Sequence, residues 1–145
     1  YQRSRGLGDV YKRQNFDIYS HKNHSSVNII REENMGYFYL IIAIIGEVVG
    51  TLSLKSSNGF TAITPSILVI VGYGVAFYFM ILSMKTIPVA ITYSIWSGVG
   101  IAAVTFIASM KFNEKPDIFA FIGLSFIIIG IVILVSLSKM GAKIS

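Results

Sequence analysis

Beyond Met35 the chain is four apolar stretches separated by short polar breaks, and no other feature constrains its fold as tightly. The stretches run over about Gly36–Leu54, Ile63–Met84, Ile87–Met110 and Asp117–Leu137. Each holds roughly 20 residues, the length a helix needs to cross a hydrocarbon core about 30 Å thick. Backbone amides in lipid have no water to bond, so a spanning segment must satisfy them as a helix or within a closed barrel. No run here alternates polar and apolar residues with the period of two that barrel strands need. The expected fold class is therefore an all-α membrane protein with four transmembrane helices. Composition agrees: 54% of residues are hydrophobic and only 13% charged, against about 45–50% apolar in soluble domains.

The breaks are too short to hold a soluble domain. KSSNGF (55–60) is a polar turn carrying Asn-Gly. KTIP (85–88) is tighter, with Pro88 suited to the first turn of the third helix. KFNEKPD (111–117) carries four charges, and Asp117 is placed to cap the fourth helix. Such connections make consecutive helices antiparallel neighbours in an up-down bundle. Any chemistry must lie among the helices. Four spans are too few to enclose a substrate path, so an oligomer is expected.

Residues 1–34 have a different composition. They hold all four arginines, both histidines, four of the seven acids and six of the twelve basic residues. No apolar core follows the basic start, so this is not a signal peptide. YQRSRGLGDVYKRQ resembles a translated sequencing adapter, and REENM (31–35) is what a purine-rich ribosome-binding site before a start codon would spell. The expectation is a non-native or disordered N-terminal extension over 1–34 and a transporter domain over 35–145. The net charge of +5 is no argument for a nucleic-acid partner, because the basic excess does not form a patch on a folded domain.

Lysines in short loops set membrane orientation. Lys85, Lys139 and Lys143 fall on one side, and Lys55, Lys111 and Lys115 on the other. The tie permits insertion both ways up, and with it an antiparallel, dual-topology homodimer.

Glu47 is the sole ionisable residue well inside a span. An intramembrane carboxylate is a functional-site hypothesis by default. Leaving water disfavours its charged form, and no Lys or Arg lies deep enough to neutralise it. A lone carboxylate of this kind can hold a proton or an incoming organic cation. Ala43, Gly50 and Thr51 share its helical face and are small, which suits a ligand or a close helix approach equally. Tyr73 and Phe77 lie four apart on the second helix; Tyr93, Trp96 and Gly100 form a stripe on the third. Trp96, the one tryptophan, sits mid-span rather than at an interface. Aromatic faces attract cations, quaternary ammonium above all. Gly98 and Gly100 are hinge candidates. Gly123 and Gly130, seven apart on the fourth helix, suit tight helix contact and are assigned to dimerisation.

The chain has no cysteine, and no histidine after Met35. It shows no phosphate-cradling glycine loop, no metal-ligand cluster and no nucleophile–base pair. The expectations are no metal, no cofactor and no enzyme.

GEVVGTLSLKSSNGFT, IPVAITYSIWSGVGIAAV and GLSFIIIGIVIL, with the four short spans, resemble the small multidrug resistance family of bacterial transporters over essentially all of 35–145. The resemblance implies a homodimer in the inner membrane, driven by the proton gradient, that exchanges protons for cations. Glu47 matches the family's proton- and substrate-binding glutamate. Tyr73, Phe77, Tyr93 and Trp96 match its aromatic pocket; Ala43, Gly50 and Thr51 match the small residues beside the glutamate; Gly123 and Gly130 match its dimer glycines. WSGVGIAAV is similar to the branch that exports quaternary ammonium and polyaromatic drugs. The alternatives are a guanidinium exporter of the same family and a non-transporting structural subunit of a membrane complex. Gly46 departs from the alanine that some drug exporters carry there.

Overall fold

In the computed structural model the backbone is described for residues 2–138 and side chains from Val27 onward, Ile29 excepted. Lys139 and Lys143, two of the lysines in the topology count, lie outside the described residues. The chain divides into two units, Tyr1–Asn34 and Met35–Ser145. Four helices follow in order: α1 (Gln2–Ser56), α2 (Ile63–Ser83), α3 (Val89–Lys111) and α4 (Ile118–Leu137). All four contain a segment long and apolar enough to span a membrane. Among the described residues there is no strand.

The helix ends follow local chemistry. The candidate membrane span within α1 is Ile30–Ser56, which contains the expected Gly36–Leu54. After α1, Ser57 donates its hydroxyl to the Leu54 carbonyl at 2.7 Å and accepts from the Phe60 amide at 3.3 Å. Asn58, Gly59 and Phe60 then take positive φ of 47°, 68° and 66°, so the Asn-Gly signal marks a left-handed turn. Pro88 falls one position earlier than expected. It is the N-cap of α3, and its carbonyl accepts from the Thr92 amide at 2.9 Å. Asp117 does cap α4, accepting from the Ala120 amide at 2.8 Å.

Small residues decide the packing within Met35–Ser145. α1 and α2 run antiparallel: Gly36 meets Thr86 and Ile87, the rings of Tyr39 and Phe79 lie 5.9 Å apart, and Gly50 meets Tyr73. At the crossing the backbones touch. A Cβ on Gly46 would stand 2.9 Å from the Ala76 nitrogen and the Gly72 oxygen; one on Gly72 would stand 2.8 Å from the Gly46 oxygen. α3 and α4 approach at Gly98, where a Cβ would collide with Ile131 Cδ1. The core is correspondingly small: Leu40, Ala43, Val48, Val69, Ala76, Ile87, Ile91 and Ala108. α4 buries no residue. Large apolar side chains such as Ile63, Ile70, Phe106 and Phe126 stand outside instead. That arrangement suits a lipid solvent and would be costly in water.

At one end of the bundle Lys55 pairs with Glu114. Its ammonium also lies 4.7 Å from the centre of the Phe112 ring. Lys55 therefore ties the end of α1 to the α3–α4 connection.

Candidate functional site

Glu47 lies midway along the first span and its carboxyl rests against α3 at Gly100. A Cβ added to Gly100 would collide with Oε2 and stand 3.1 Å from Cδ. Gly100 is buried, and its missing side chain is what makes room for the carboxyl. α3 continues as one helix through Gly98 and Gly100, so both glycines stand here as contact positions: Gly98 receives α4 and Gly100 receives Glu47. Oε2 of Glu47 is buried with no hydrogen-bond partner among the described residues, and so is Nε1 of Trp96, one turn before Gly100. An acceptor and a donor thus stand unpaired on facing stretches of α1 and α3.

The four aromatic residues join into one chain of rings. Tyr73 and Phe77 stack at 6.2 Å, Phe77 and Trp96 meet at 6.2 Å, and Trp96 and Tyr93 meet at 5.5 Å. The spacing in sequence put each pair on one helical face; the fold brings the α2 pair against the α3 pair. Phe77 and Tyr93 are about half exposed on the chain's own surface, at 49% and 55%, while Trp96 is more enclosed. Along the row the partly enclosed rings of Tyr73 and Trp96 alternate with the half-exposed rings of Phe77 and Tyr93.

Ala43 is fully buried, and Gly50 is buried against the Tyr73 ring, with 3.2 Å from an added Cβ to Cδ2. Thr51, one turn beyond Glu47, is hydrogen-bonded to Tyr73, Oγ1 to Oη, at 2.9 Å. The space beside Gly50 is thus filled by a tyrosine of the same chain. Gly123 and Gly130 have no atom of the described residues within 4 Å of an added Cβ, and both are exposed on α4. Sequence reasoning missed the α1–α2 seam, although Gly46-Glu-Val-Val-Gly50 carries the Gly-x-x-x-Gly spacing of close helix crossings. It also missed the Thr51–Tyr73 bond, for which no sequence signal exists. No group of three or more His, Cys, Asp or Glu that could hold a metal occurs among the described residues.

A sequence model of the Small Multidrug Resistance protein family matches residues 35–127. The quaternary ammonium compound-resistance protein QacE of Escherichia coli is 49% identical over 107 residues, which are 74% of this chain and 97% of that protein. QacF of Klebsiella aerogenes, of the same description, is 47% identical over 106 residues, 73% of this chain and 96% of its own. A multidrug transporter of Pseudomonas aeruginosa is 42% identical over 103 residues, 71% and 94% of the two chains.

Proposed function

The chain belongs to the Small Multidrug Resistance family, and from that premise we propose that it exchanges protons for lipophilic or quaternary ammonium cations across the bacterial inner membrane. It is a multi-pass protein of that membrane. The observation that carries the proposal is the Glu47 carboxyl, set within a span, unpaired at Oε2 and adjoining a row of four aromatic rings.

Deprotonated Glu47 supplies the counter-charge for an organic cation, and the ring row supplies flat apolar walls with negative faces. A proton arriving at Glu47 removes the counter-charge and releases the cation. Because both occupants compete for one carboxyl, the exchange is coupled without a separate gate. The half-exposed Phe77 and Tyr93 leave the walls open on the chain's surface, which suits completion by a second copy. We take that copy to be antiparallel, joined through the α4 face that holds Gly123 and Gly130. The resistance to quaternary ammonium compounds named for the two Qac relatives supports this substrate class over guanidinium. No cofactor is invoked: the proton gradient drives the cycle.

The test is proton release when tetraphenylphosphonium is added to detergent-solubilised protein, with Glu47→Gln as control. Release by wild type alone is expected, with cation affinity falling as pH is lowered. Release on guanidinium but not on tetraphenylphosphonium would move the chain to a guanidinium exporter. Silence with both would leave the structural-subunit reading in its place.

A further inference from the structure

The wall of the site beside Glu47 has an internal clasp. Tyr73 touches α1 in two places: its ring lies over Gly50, and its hydroxyl is bonded to Thr51 at 2.9 Å. The same ring stacks on Phe77 at an interplanar angle of 22°, and Phe77 leads on to Trp96. The ring row is therefore anchored on the helix that carries Glu47, one turn from the carboxyl. A Cβ on Gly50 would stand 3.2–3.4 Å from Tyr73 atoms, so the ring sits close against α1 and its hydroxyl cannot drop toward α1 without displacing Thr51.

We propose that Thr51 is a positioning residue that selects bulky cations through Tyr73. It holds the phenol in place before a cation arrives and need not touch the cation itself. A fixed aromatic wall loses little freedom on binding, and it favours a ligand large enough to press on it. A small cation held by the Glu47 charge gains little from the wall. The inference rests on the proposed cation-binding role of Glu47.

The experiment compares tetraphenylphosphonium with guanidinium as probes, by equilibrium binding to detergent-solubilised protein. Thr51→Val keeps the shape and removes the hydroxyl; Thr51→Ser keeps the hydroxyl; Tyr73→Phe removes the other partner. Thr51→Val and Tyr73→Phe should each weaken tetraphenylphosphonium binding about three- to fivefold, the worth of one hydrogen bond between membrane helices. Guanidinium binding should change less than about twofold, since it does not use the wall. Thr51→Ser should restore the wild-type value, and the double variant should be no weaker than either single one, because both remove the same bond. Equal losses for both probes, additive losses in the double variant, or no rescue by Ser would overturn the proposal. If Thr51→Val does not fold, Tyr73→Phe against Thr51→Ser decides by the same criteria. Absence of Glu47-dependent binding in wild type would instead overturn the proposed function. Normal wild-type binding with an unaffected Tyr73→Phe would overturn the clasp alone.

Discussion

Gly72 and Gly74 are two residues apart on α2 and face opposite ways, so alanine at each should have opposite consequences. At Gly72 the added methyl would meet the Gly46 oxygen and the Gly50 nitrogen at 2.8 Å and the Gly50 Cα at 2.9 Å. All three are backbone atoms and none can rotate aside. To reach an ordinary contact of 3.4 Å, α1 must back away by roughly half an ångström, which forfeits about a quarter of each dispersion contact along the seam. Overpacking of this kind costs about 1–3 kcal/mol. At Gly74 an added methyl meets nothing within 4 Å. Alanine there keeps every contact and gains up to about 1 kcal/mol of helix propensity. The assay is the thermal midpoint of each variant in one detergent, followed by circular dichroism at 222 nm with the folded fraction checked by gel filtration. Gly72→Ala should melt below wild type and Gly74→Ala at or above it. Equal midpoints for the two variants would refute the seam, because glycine content and helix position are otherwise matched.

Gly100→Ala should displace the Glu47 carboxyl from α3 and weaken tetraphenylphosphonium binding about tenfold or more, an energy of about 1.4 kcal/mol, measured by the same binding assay; unchanged affinity would mean the carboxyl does not need that space. Asp117→Ala should cost about 1 kcal/mol through loss of the α4 cap, and Asp117→Asn should recover most of it, both read as thermal midpoints. The Lys55–Glu114 pair is about half exposed on both sides, so a double-mutant cycle with Ala should find a coupling under about 1 kcal/mol that shrinks in high salt.

Apolar run length and Gly, Pro and Asn punctuation made the four helices legible, because lipid forbids the alternatives. Glu47 was legible because one carboxylate stands alone among apolar neighbours. The aromatic row was half legible: spacings of four and three put Tyr73 beside Phe77 and Tyr93 beside Trp96, but nothing in sequence says that α2 turns its pair toward the α3 pair. Faces are hard to read here for a physical reason. In a soluble helix the buried side is the apolar side, whereas lipid accepts apolar side chains on every side. α4 shows the extreme, apolar but for Ser125 and Ser136, with none of its residues buried. What distinguishes a contact face in lipid is the room for close approach, and that information sits in the smallest residues. Gly46, Gly72, Gly98 and Gly100 each mark a place where something enters: a backbone, a backbone, an isoleucine and a carboxyl.

A glycine in sequence announces space without saying what fills it. Gly100, a hinge candidate from sequence, has the Glu47 carboxyl against it, and Gly50, which suited a ligand or a close helix approach equally, has the Tyr73 ring against it. Gly123 and Gly130 are small residues too, but nothing among the described residues lies beside them. Either lipid or a second chain covers them, and alanine separates the two. A methyl facing lipid acts as at Gly74, so a monomeric role predicts melting at or above wild type and wild-type cation binding for both variants. A methyl in a packed seam between copies acts as at Gly72 and costs about 1–3 kcal/mol, so it should shift gel-filtration elution toward monomer and depress binding as protein concentration falls. If dilution leaves binding in Gly123→Ala and Gly130→Ala unchanged, the α4 face does not join two copies, and the half-exposed rings of Phe77 and Tyr93 must be covered in another way.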